Sequence, residues 1–100
     1  MKTYILDTNI ILDSPDNLIT LSDNGTNNLV LPEVVIDELD NKKSGFEDIN
    51  YNARQFARLL EDSKIVDIKA VSGLTLVTTT IPSLNITLTI VSKPTYLCEN

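Results

Sequence analysis

The sequence predicts an α/β fold in which helices flank a parallel sheet, with a β-hairpin towards the C-terminus. Three observations carry that expectation. Two short apolar runs, residues 3–6 and 29–31, are each followed by a stretch with helix-start signals. A longer stretch, residues 48–63, repeats its apolar residues Ile49, Ala53, Phe56 and Leu60 at helical spacing. Beyond residue 74 the period changes to two, the mark of strands with one buried face. The order β-α-β-α-α is that of a layered α/β domain with parallel strands.

The elements follow in turn. Residues 3–6 read as a short buried strand ending at Asp7, and Ser14-Pro15 as a helix start, because Ser caps and Pro is tolerated at the first helical position. The turn-rich stretch 22–28 (SDNGTNN) breaks the chain, and Leu29, Val30 and Leu31 form a second strand. Pro32 opens a helix to about Lys42, where Lys42 and Lys43 suit the negative C-terminal end, and Ser44-Gly45 ends it. Residues 65–68 read as a further strand. Leu84, Ile86, Leu88 and Ile90 alternate with polar or small neighbours, Leu74, Leu76 and Thr78 alternate similarly, and Pro82-Ser83 between them predicts a tight connection. The chain thus reads as one domain, residues 1–69 forming an α/β core and residues 70–100 a β-rich extension.

With 42% hydrophobic and 22% charged residues the chain has the composition of an ordinary globular domain. No apolar run approaches the ~20 residues that span a bilayer, and no targeting pattern is present, so a cytoplasmic protein is expected. The net charge of −6 argues against unaided nucleic-acid binding through a broad basic face, but not against a nuclease whose acids are neutralised by a divalent cation. With no histidine, any catalysis falls to carboxylates, hydroxyls, lysines or a metal. The single cysteine, Cys98, cannot form an internal disulfide.

Two acids stand out. Asp7 sits at the carboxyl end of the first strand, the edge where open α/β sheets bind ligands. The plainer reading makes it a helix cap. On a wheel of about 100° per residue, Glu38 falls between Val34 and Val35 on the apolar stripe that they form with Leu39, whereas Asp37 and Asp40 fall outside it. A carboxylate facing a core is costly unless paired or metal-bound. The plainer reading takes it to solvent or to a basic partner. Carboxylates without His or Cys suit Mg²⁺ or Mn²⁺.

The blocks L6-D7-T8-N9-I10-I11-L12, L31-P32-E33-V34-V35-I36-D37-E38-L39-D40 and N52-A53-R54-Q55 with R58-L59-L60 together resemble the PIN domain, in particular the one at the N-terminus of PhoH-like proteins. The match runs over about residues 3–62. The resemblance implies a parallel-sheet α/β fold and metal-dependent cleavage of single-stranded RNA. It places the first two acids of a Mg²⁺ or Mn²⁺ site on Asp7 and Glu38, with Asn9 supporting Asp7. A third acid is supplied in that family by a later strand and turn, and residues 70–91 hold no Asp or Glu. The chain is therefore expected to be an N-terminal part of a longer protein or a shortened relative, with Glu99 a poor substitute for the third acid. A PhoH-type ATPase domain is an expected neighbour, although this chain contains no phosphate-binding loop motif of its own. The first strand is central in PIN sheets, so its outer edge should be open here unless the hairpin, a partner chain or a homo-oligomer covers it.

Arg54 and Arg58, four residues apart on the long helix, are candidates to contact RNA phosphates. A solvated face pairing with Glu61 or Asp62 is the simpler reading. Asp40 is a candidate outer contact of the site. Thr78, Thr79 and Thr80 read as strand formers rather than nucleophiles. The alternative to a nuclease is a binding module that keeps the fold, has an incomplete site and docks a partner.

Overall fold

The computed structural model describes residues 1–93. Cys98 and Glu99 lie outside the described residues. The chain runs β1 (Thr3–Ile5), α1 (Thr8–Asp13), α2 (Asn17–Ser22), β2 (Asn28–Pro32), α3 (Glu33–Asn41), α4 (Asp48–Glu61), β3 (Lys64–Val71), β4 (Leu74–Ile81), a 3-10 turn (Pro82–Leu84) and β5 (Ile86–Ser92). One five-stranded mixed sheet has the order β1-β2-β5-β4-β3. The strands β1, β2 and β5 are parallel, and β5, β4 and β3 form an antiparallel meander. The α/β class is as the sequence predicts, and β3 crosses residues 69 and 70 within this single sheet.

Topology decides where the helices go. The chain steps from β1 to β2 and then from β2 to β5 in one lateral direction. Parallel crossovers are almost always right-handed, so two steps in one direction put their helices on one face. Burial agrees: Leu29 and Leu31 of β2, Leu88 and Ile86 of β5 and Ile81 of β4 join Ile11, Leu18, Val35, Leu39, Ala53 and Phe56 in one core. The pairings Leu29↔Leu88 and Ile81↔Ile86 put these strand residues on a common face. Val30, Thr89 and Thr78 alternate onto the other face and are only half-buried.

Several expectations change. A helix, α1, starts at Thr8, well before Ser14, which instead ends it; the Ser14 hydroxyl accepts a hydrogen bond from the Asp16 amide at 3.2 Å, turning the chain into α2. The hairpin docks beside β2, not beside β1, so β1 is an edge strand among the described residues. In β4 the buried residues are Thr79 and Ile81, so Leu74 and Leu76 lie on the face away from the core, Leu76 opposite Val91. The Thr79 hydroxyl donates to Ser63 Oγ at 2.7 Å, and that hydroxyl donates to Leu60 O, closing the end of α4. This use of Thr79 is structural.

The loop between α3 and α4 is held from α4. Asn50 Nδ2 donates to Lys42 O at 2.8 Å, and Arg54 Nη1 donates to Lys43 O and Gly45 O. Gly45 has φ +125°, and a Cβ there would collide with the Asn50 side chain, so the loop requires glycine at this position.

Candidate functional site

Asp7 lies between the end of β1 and the first turn of α1, in extended conformation. Its side chain makes no capping hydrogen bond, so the plainer reading of a helix cap does not describe it. The residue is exposed, and no ion pair among the described residues involves it. Its carboxylate lone pairs therefore have no partner among the described residues.

The next residue makes the link to α3. Thr8 is buried, and its hydroxyl donates to Glu38 Oε1 at 2.8 Å. The acid on the third helix is thus tied to the residue beside the acid on the first strand. Sequence reasoning missed Thr8. The available signal was a small hydroxyl residue immediately after a strand-end acid, able to reach an acid on a neighbouring helix without filling the gap between them.

Glu38 itself corrects the wheel argument. Val35 and Leu39 are buried, but Val34 is 63% exposed, so the true apolar stripe excludes Val34. Glu38 is exposed rather than facing the core. The residue is marked out by its bond to Thr8, not by burial. Oε1 is engaged by Thr8, and Glu38 makes no ion pair among the described residues.

The scaffold under the pair is short and strapped. A helix of six residues has little stability of its own. Asn52 of α4 donates from Nδ2 to Leu12 O at 2.7 Å and to Asp13 O at 3.1 Å, and Asn17 donates to Ile10 O at 2.8 Å. The Asn52 bonds satisfy the last carbonyls of α1, which have no amide of the helix to accept from, and Asn17 adds a second donor to Ile10 O, which also accepts the Ser14 amide at 3.4 Å.

The other candidates are placed as follows. Asn9 is exposed, and no hydrogen bond joins its side chain to Asp7 among the described residues. Arg54 spends its guanidinium on the loop carbonyls, whereas Arg58 is exposed and pairs with neither Glu61 nor Asp62. Asp40 pairs with Lys43 at 3.3 Å. No group of three acidic, histidine or cysteine side chains that could hold a metal ion occurs among the described residues. No helix among them is long and apolar enough to cross a membrane.

A sheet whose β1, β2 and β5 run parallel, with Asp7 at the end of its first strand and Glu38 of α3 tied to the neighbouring Thr8, defines the class. The PIN domain family model matches residues 4–91, and the chain belongs to that family. Protein PhoH2 of Bacillus subtilis (strain 168) is 35% identical over 60 residues, covering 60% of this chain and 13% of that protein. The chain thus spans a small part of this relative's length, and the likeness supports a PIN domain of PhoH-like type. No solved structure matches the chain significantly.

Proposed function

We propose that this PIN domain serves in divalent-metal-dependent cleavage of single-stranded RNA, with Asp7 and Glu38 as two of the ligands of a Mg²⁺ or Mn²⁺ ion. The observation that carries the reading is the Thr8–Glu38 hydrogen bond beside the uncapped Asp7 carboxylate. The donor set fits the ion: both groups are hard, anionic oxygens, and Mg²⁺ is commonly held by one or two carboxylates together with water and substrate phosphate. When bound, such an ion supplies positive charge at a scissile phosphodiester and activates water for attack. The chain's own contributions are distinct. Asp7 offers two oxygens without a partner among the described residues, Thr8 donates to the Glu38 carboxylate, and the Asn52 strap holds the end of α1. Arg58 is an exposed cation available to RNA phosphate; Asn9 keeps a place in the reading only as an exposed polar neighbour of Asp7.

In this reading the domain works within a larger cytoplasmic protein, beside a PhoH-type ATPase domain, with further acid ligands from outside residues 1–93; the likeness to PhoH2, of whose length the match covers 13%, supports it. A second reading rests on the absence of any three-acid group among the described residues. In it the domain is a binding module that docks a partner. Titration of Mn²⁺ into the wild type and Asp7→Asn, followed by paramagnetic broadening of amide signals, separates the two. Broadening centred on residues 7–9 and 38 in the wild type, lost in the variant, is expected. Identical broadening in both proteins would sink the metal assignment.

A further inference from the structure

The far edge of the sheet has the ingredients of a self-complementary interface. All eight residues of β3 are exposed, and among the described residues no strand pairs with its outer side. Ile65 and Ile68 are each 63% exposed, and Val66 59%. A strand edge of this kind offers unpaired amides and carbonyls to another strand. Lysines on such an edge ordinarily guard against pairing, and Lys69 here lies 3.6 Å from Asp67 of its own strand.

That pair of charges also selects a register. In the ladder with β4, Asp67 and Lys69 face Thr78 and Leu76 and so lie on one side of the sheet, while Ile68 faces Val77 on the other. Two identical strands that pair antiparallel across an edge are related by a twofold axis perpendicular to the sheet. Opposed residues must then share a face, so the axis passes through a residue position. If it passes at Ile68, Asp67 stands opposite Lys69 of the second copy, and Lys69 opposite its Asp67. Moving the axis one residue either way sets Asp67 against Asp67 or Lys69 against Lys69. Opposite charges across a ladder attract and like charges repel, so one register is favoured over both its neighbours. The bulge between Ile65 and Asp67 bounds the regular stretch on one side, and the turn after Val71 bounds it on the other.

We propose that two copies of this chain associate edge to edge through β3, antiparallel, about a twofold axis at Ile68, making a continuous ten-stranded sheet from two five-stranded ones. The interface is small and carries its two charge pairs beside the axis, which makes a weak, reversible, salt-sensitive dimer. It lies at the opposite edge of the sheet from β1 and Asp7, so it is independent of the metal reading and leaves the acid pair open.

Sedimentation across a wide concentration range tests this with a charge swap. The wild type is expected to dimerise reversibly. Asp67→Lys and Lys69→Asp each replace two attractive contacts with two repulsive ones and are expected to weaken the dimer by at least about tenfold. The double variant restores both pairs with their signs exchanged and is expected to recover the wild-type affinity to within about threefold, since the pairing geometry is unchanged. In the wild type, hydrogen exchange at residues 67–71 should slow as concentration rises, a readout that needs no variant. A monomer at all concentrations, singles that dimerise as well as the wild type, or a double variant as weak as the singles would each overturn the proposal. A different protein strand on this edge would appear as the first of these outcomes.

Discussion

Strands β2 and β3 belong to one sheet and share almost no environment. Leu29 and Leu31 of β2 are 0% exposed, covered by helices and flanked by a strand on each side. The strand β3 is longer, yet every residue in it is exposed and its stability rests on the ladder to β4. The difference teaches that strand length and apolar content do not measure a strand's weight in the fold. What matters is whether a helix layer faces it. Here two crossovers in one direction concentrate the helices over β2 and β5 and leave the meander's outer strand bare.

The contrast can be broken most directly at the buried end. Leu31→Ala should cost roughly 2–5 kcal/mol, the range for emptying a packed leucine site, measurable by urea denaturation. A loss below about 1 kcal/mol would mean the core is not centred on β2. The next effect is smaller and tests the join between strand and helix layers. Thr8→Val keeps shape but removes the hydroxyl that Glu38 accepts. It should cost about 0.5–1.5 kcal/mol and weaken Mn²⁺ binding while leaving the secondary structure unchanged. Unaltered stability and binding would show that the bond orients nothing. The smallest effect belongs to β3. Ile68→Thr, studied dilute so that association does not contribute, should change stability by less than about 0.5 kcal/mol, as a surface substitution in a good strand former. A cost comparable to that of Leu31→Ala would show the meander's outer strand to be packed after all.

Much of the fold was legible because it was locally encoded. Pro32 marked the start of α3, Ile86, Leu88 and Ile90 showed the period of β5, and Asp48 lay at the start of α4. What was not legible depended on partners distant in sequence. No periodicity could say that the hairpin pairs with β2 rather than β1, because an apolar strand fits either edge. The wheel treated Val34 and Val35 alike, and only packing against the core separated them. Of the site, Asp7 and Glu38 were singled out from sequence, but the contact joining their neighbourhoods runs through Thr8, 30 residues from Glu38. The predicted help from Asn9 has no counterpart in a side-chain hydrogen bond among the described residues, and Arg54 serves the loop between α3 and α4.

The strap from Asn52 to the end of α1 bears on the order of events when the chain folds. Its two bonds span 40 and 39 residues. Contacts that distant form only after the intervening chain has closed, and closure must be paid in entropy before the bonds return anything. The six-residue α1 cannot persist alone while it waits. Asp7 and Thr8 therefore acquire their final geometry only once α4 has docked, so the acid pair assembles late although one of its members stands seventh in the chain.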